Sequence, residues 1–162
     1  MIEKILDLDS YLFLFLNNLG SQYYDNFWIF LSRTEANVMV YLVILIVYIY
    51  SINNKKRTKI LFRLIIAIAI LITISDQTSN LFKDSFQRHR PCYNELIADS
   101  LRLVKESCGG RYGFFSAHAS NSFSLAIFFG LLLRSSNKLF ILLFAVYAFL
   151  ISYSRIYLGV HY

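Results

Sequence analysis

The sequence predicts an all-α integral membrane protein, a bundle of spanning helices forming one domain over residues 1–162. Three observations predict it. First, 57% of the 162 residues are hydrophobic and 17% aromatic, with a mean hydropathy of +0.51, whereas soluble domains run to about 45–50% apolar. Second, several apolar runs approach the roughly 20 residues that cross a bilayer, and they are continuous rather than alternating, which selects helices over a barrel. Third, the net charge of +6 comes from basic residues lying between apolar runs. The positive-inside rule and an anionic ligand account for that placement better than a nucleic-acid surface does. The opening MIEKILDLDS carries Glu3, Asp7 and Asp9 and has no cleavage-site pattern, so it does not read as a cleaved signal peptide.

Taken in order, residues 1–35 read as a shallow or broken first element. The apolar run Tyr11 to Leu16 is cut by Asn17, Asn18 and Gly20, and the following YYDNFWIFLSRTE is aromatic and amphipathic, as interfacial segments are. Asn37 to Ile52 reads as a spanning helix, ended by Asn53-Asn54. Lys55, Lys56, Arg57, Lys59 and Arg63 then form the densest basic cluster in a short loop, which places that loop in the cytoplasm. Ile60 to Phe82 returns across the membrane. Asp76, Asn80 and Lys83 are spaced four and three apart and so share one helix face.

The polar interval beginning at Lys83 and reaching His118 therefore falls on the external side. Phe114 to Leu133 goes back in, Arg134 to Lys138 makes a second basic loop, and Leu139 to Tyr153 comes out once more. Arg155 and His161 land level with Lys83 and His118. Three separate stretches thus deliver polar residues to one face of the membrane.

These polar residues fall into three clusters: Lys83 with Arg90-Pro91, Ser116-Ala117-His118, and Ser154-Arg155 with His161. They supply three cations, a hydroxyl and two imidazoles, which suits phosphoryl transfer without a metal. Cations neutralise the equatorial oxygens, one histidine attacks and the other protonates the leaving oxygen. Arginine fits because its planar fork binds two phosphate oxygens at once. Ser116 lies just before a predicted helix, whose free amides and dipole favour an anion. No cluster has the carboxylate count of a two-metal site or the Cys/His spacing of zinc, so neither metal nor cofactor is expected.

The order and spacing of the clusters resemble the type 2 phosphatidic acid phosphatase superfamily, which includes the vanadium haloperoxidases. Its pattern is K-x6-RP, then P-S-G-H, then S-R-x5-H-x3-D. The resemblance covers about residues 76 to 162. It implies a helical bundle of that fold and a hydrolase acting on a lipid phosphate or diphosphate, such as phosphatidic acid, phosphatidylglycerol phosphate, undecaprenyl diphosphate or a lipid A phosphate. It implies that His161 is the nucleophile forming a phosphohistidine and His118 the general acid. Lys83, Arg90, Arg155, Ser116 and the amide of Ala117 would hold the phosphate. It also implies a bacterial inner membrane location, with the site facing the periplasm or exterior.

The sequence departs from the pattern at Phe115, where proline is usual, and at Ala117, where glycine is usual. Alanine keeps its N–H, so phosphate binding survives if its φ is negative. The aspartate expected four residues after His161 and a final spanning helix lie beyond Tyr162. On the sequence as given, the domain is expected to be C-terminally incomplete, with His161 on a fraying end and poor activity. Two rival readings are a vanadate-holding haloperoxidase and a non-enzymatic membrane protein with a proton or anion path along Asp76, Lys83 and His118.

Five further residues complete the reading. Arg88 and His89 read as a solvated basic patch. Asp76, an ionisable residue within a span, is expected near the site, supporting Lys83. Cys92 and Cys108 share the external loop, where a disulfide is permitted and would pin Arg90-Pro91 against the approach to Ser116; two free thiols are the alternative.

Overall fold

The computed structural model describes residues 2–52 and 57–162. The expected helix stop at Asn53-Asn54 and the basic residues Lys55 and Lys56 lie outside the described residues. Among the described residues there are six α-helices: α1 (Ile2–Asn18), α2 (Asp25–Leu31), α3 (Thr34–Ser51), α4 (Arg57–Phe86), α5 (Ala117–Leu133) and α6 (Leu139–Tyr157). The all-α expectation holds. Of these, α3, α4 and α6 are long and apolar enough to cross a membrane, and α5 is a shorter apolar helix.

The first 35 residues form a broken element. A turn at Gln22–Tyr24 separates α1 from α2. α3 starts three residues earlier than the apolar run suggests, because Asn37 donates its side-chain amide to the carbonyls of Leu31 and Arg33 and so locks the α2–α3 joint. α4 is also longer than its apolar run. Its 30 residues rise about 45 Å at ~1.5 Å each, so the Lys83 end extends past a hydrocarbon layer of about 30 Å. Gln87, at φ 46°, ends it by donating its N–H to the Lys83 carbonyl.

Successive spanning helices run in opposite directions. The C-terminal ends of α4 and α6 and the N-terminal ends of α3 and α5 therefore meet at one end of the bundle. α5 packs between α4 and α6, and α6 also packs against α1 and α2. The main core joins Tyr41 and Leu45 of α3 to Ala126 and Phe129 of α5 and Phe144 and Ala148 of α6. Small residues set the α5–α6 approach: a Cβ added to Gly130 would sit 3.2 Å from the Ile141 Cα.

The outward faces are apolar. Met39, Val43, Ile65, Ile74, Leu142 and Phe149 are all exposed, and only 6% of the apolar window of α4 is buried within the protein. Water would not tolerate an apolar surface of that extent, and lipid would. The protein is an integral membrane protein.

Candidate active site

Three polar contacts fix α4 against α5 where the site begins. The Ser75 and Ser120 hydroxyls lie 2.7 Å apart, Ser79 donates to the Phe115 carbonyl at 3.1 Å, and Asn121 donates its amide to Asp76 at 2.9 Å. Asp76 acts on Lys83 through its charge and not through a hydrogen bond. Seven residues of α4, about 10 Å of rise, separate the two, and the hydrogen bond of Asp76 goes to Asn121, one turn below His118. Lys83, half-buried, instead has Asn80 as its side-chain partner, at 3.4 Å.

Ser116 is the N-cap of α5, and its hydroxyl accepts the Ala119 amide at 3.4 Å. Ala117 is the first helical residue. Among the described residues, Gln87 alone of the non-glycines has positive φ, so the alanine fits without strain. His118 follows in the first turn, with its Nε2 3.4 Å from the Thr34 hydroxyl at the start of α3. Arg155, Lys105 and Arg90 lie within electrostatic reach of it. Below His118 an apolar cavity of about 350 Å³ runs between α3, α4 and α5, past Asp76 to Leu45 and Phe129.

Arg155 occupies the last turn of α6 and is 6% exposed. Its Nη1 donates to the Ser32 hydroxyl at 2.5 Å, and its buried Nε has no partner among the described residues. Gly159, at φ +75°, then turns the chain. A Cβ there would lie 2.8 Å from the Arg102 carbonyl, so glycine is required for both conformation and space. The turn carries His161 back over the site. His161 is 4% exposed, and its Nδ1–H donates to the Gly113 carbonyl at 2.9 Å. The expected fraying ring is corrected: the imidazole is enclosed and held at one nitrogen.

Arg90 reaches the same point from the loop between α4 and α5. Its N–H donates to the Arg111 carbonyl at 3.0 Å and its Nη1 to the Cys108 carbonyl at 2.8 Å. Gly113 lies between Arg90 and His161, and a Cβ there would stand 2.6 Å from the Arg90 Cγ and 3.4 Å from the His161 Nδ1. Burial first, then the charges of Arg90 and Arg155, push the His161 imidazole down to about 3; the Gly113 bond opposes this, and Lys83 adds to it. Lys83, Arg90 and Arg155 therefore all act on one ring. Arg90 and Arg155 also line one cleft of about 600 Å³.

Cys92 and Cys108 are joined by a disulfide, with Cα atoms 6.4 Å apart. It closes the loop beside Pro91, which is fully buried and starts a short helical turn, Pro91–Tyr93. Arg88 is not a solvated patch. It pairs with Asp9 of α1 at 2.5 Å and lies 3.8 Å from the centre of the Tyr162 ring. His89 stacks on Tyr112 and accepts from Arg111 at 3.1 Å. The two ion pairs among the described residues are Arg88–Asp9 and Arg102–Asp25, so neither Arg90 nor Arg155 has a carboxylate partner. Among the described residues no three His, Cys, Asp or Glu side chains cluster as metal ligands.

Sequence reasoning missed Ser32, Thr34, Gly113 and Asn121. Ser32-Arg33-Thr34 is a polar break in an aromatic stretch, which is a signal of sorts. Gly113 gave none, because its role belongs to a backbone carbonyl.

Comparison with known proteins identifies the family. The profile of the PAP2 superfamily matches residues 61–162. A lipid A 4'-phosphatase of Bacteroides thetaiotaomicron is 39% identical over 165 residues, covering 100% of this chain and 70% of that protein. A lipid A 4'-phosphatase of Porphyromonas gingivalis is 33% identical over 162 residues, covering 99% of this chain and 66% of its own length. No solved structure matches. With the Lys83–Arg90, Ser116–His118 and Arg155–His161 segments all inside the matched region, the chain belongs to the PAP2 superfamily.

Proposed function

We propose that the protein is a membrane phosphatase that removes a phosphate from a lipid, with a lipid A-type glycolipid as the first substrate to test. One observation carries this reading. Two buried or half-buried arginines, Arg90 and Arg155, have no carboxylate partner among the described residues and flank a histidine whose Nδ1 is committed to the Gly113 carbonyl. Buried guanidinium groups call for an anion, and that tautomer leaves the Nε2 lone pair free to attack it. The names of both relatives support the substrate class.

In the proposed reaction the phosphoryl group sits among Lys83, Arg90, Arg155 and the amides at the start of α5. Nε2 of His161 attacks phosphorus, the bond from phosphorus to the lipid oxygen breaks, and His118 gives that oxygen a proton. Water then attacks the phosphohistidine with His118 as base, releasing inorganic phosphate and regenerating the imidazole. The apolar cavity below His118 would take an acyl chain while the head group stays at the polar end. Residues 1–162 would act as one domain in a bacterial inner membrane. The basic Arg134–Lys138 end would face the cytoplasm and the site the opposite side.

The test is phosphate release from lipid A, phosphatidic acid, phosphatidylglycerol phosphate and undecaprenyl diphosphate by detergent-solubilised protein. Release that survives EDTA, is blocked by vanadate and is lost in His161→Ala is expected. No release from any lipid phosphate would overturn the reading. Liposomal anion or proton flux in its place would favour a transport path.

A further inference from the structure

The cleft containing Arg90 and Arg155 holds a third cation that the sequence motifs do not include. Lys105 lines it together with Val104, Cys108 and Gly109. The segment carrying this lysine is anchored on both sides. One residue before it, Val104 donates its N–H to the Leu158 carbonyl at 3.3 Å. Three residues after it, Cys108 is bonded to Cys92 and accepts from Arg90 at 2.8 Å. Residues 104–108 thus form a strap from the C-terminal turn to the Arg90-Pro91 corner, and Lys105 is held over the cleft between them.

Lys105 is half-buried, and none of the ion pairs among the described residues includes it. Its ammonium is pushed below its ordinary value by burial first, then by Arg155, Arg33 and Arg90, with Glu35 opposing. Glu106, also on the rim, is exposed. A lysine packed among arginines is repelled unless an anion joins them. Lys83, Arg90, Arg155 and the amides at the start of α5 are already assigned to one phosphoryl group, and a cleft of about 600 Å³ has room for more.

We propose that Lys105 forms a second anion subsite beside the scissile phosphate, selecting substrates that present a second phosphoryl group there. This rests on the phosphatase reading and specifies its substrate. The second group could be the distal half of a diphosphate or a separate phosphate on the same head group; the chemistry at Lys105 is the same.

The experiment compares wild type, Lys105→Gln and Lys105→Arg on three lipids: a monophosphate, a diphosphate and one carrying two separate phosphates. A charge-assisted contact of this kind changes affinity by roughly tenfold or more. Lys105→Gln is therefore expected to lose about tenfold more kcat/KM on at least one doubly phosphorylated lipid than on the monophosphate, chiefly through KM. Lys105→Arg should recover most of that difference. Which lipid shows the loss identifies the source of the second group. Equal losses on all three would overturn the proposal. A parallel measurement needs no turnover: the thermal shift produced by inorganic pyrophosphate relative to inorganic phosphate. If the wild type releases no phosphate, the catalytic reading fails separately. A pyrophosphate advantage undiminished in Lys105→Gln would still overturn the subsite.

Discussion

His161 donates its Nδ1 proton to the carbonyl oxygen of Gly113 at 2.9 Å. A carbonyl can only accept, so the neutral ring must carry its proton on Nδ1 and keep its lone pair on Nε2. A main-chain atom thus fixes the tautomer and orientation that a carboxylate fixes in a catalytic triad. It adds no negative charge beside an incoming phosphate.

Substitution at Gly113 tests this arrangement. Gly113→Ala places a methyl 2.6 Å from the Arg90 Cγ, and Arg90 or the carbonyl must move. Displacements near 1 Å cost about 10² in rate. We predict a loss of that order in phosphate release, with the protein still folded but at a lowered melting temperature, since overpacking a buried site costs about 1–3 kcal/mol. Unchanged turnover would show that His161 and Arg90 need no such spacing.

Acid should destabilise the protein through His161. Burial and two arginines push this imidazole down to about 3, against roughly 6.5 in an unfolded chain. Between those values the unfolded state binds the proton and the folded state does not. The contribution is therefore fully present above about pH 6.5 and lost as pH falls toward 3. His161→Asn should show a shallower fall in melting temperature over this window than wild type. Parallel curves would refute the assignment.

Ser32 is predicted to position Arg155. Its hydroxyl is the only side-chain acceptor of that guanidinium among the described residues, and Ser32 is 1% exposed. Ser32→Ala leaves a buried charged donor unpaired, at a cost of about 1–3 kcal/mol. The expected result is a 10–100-fold weaker inhibition by vanadate, converted at roughly 1.4 kcal/mol per decade. Wild-type sensitivity in Ser32→Ala would rule the role out.

The disulfide should be measurable as both chemistry and stability. Cys92 and Cys108, 16 residues apart, should resist alkylation until reduced. Closing a loop of this size contributes roughly 3 kcal/mol in the chain-entropy account. Reduction should lower resistance to denaturant by a comparable amount, and alkylation of both thiols without reductant would contradict the bond.

Much of the fold was legible because bilayers impose a strict rule: long apolar runs must be helices. α3, α4 and α6 followed from that rule, and so did the delivery of Lys83, Ser116 and Arg155 to one end of the bundle. Helix ends were less legible. Thr34 and Arg155 are polar, yet each lies inside a helix, since an interfacial turn continues as long as its backbone bonds are made. The partners were hidden for another reason. Arg155–Ser32, Arg88–Asp9 and Asp76–Asn121 join residues 123, 79 and 45 positions apart, and no local pattern encodes a pairing across such distances. His161 looked loose in sequence because nothing in its neighbourhood announces that Gly113 would hold it.

Asn17 gives the site a schedule. This fully buried side chain at the end of α1 donates to the carbonyls of Arg102, Ile156 and Tyr157 and accepts the Arg102 N–H at 2.7 Å. Its farthest partner lies 140 residues downstream. At ribosomal speeds of about 5–20 residues per second, α1 waits roughly 7–30 s before that partner exists. Until α6 is in place, Asn17 lacks the Ile156 and Tyr157 carbonyls that anchor the turn carrying His161. Arg90 and the Ser116–His118 turn are translated well before Arg155 and His161, so the polar cluster closes only when the end of α6 clasps the end of α1.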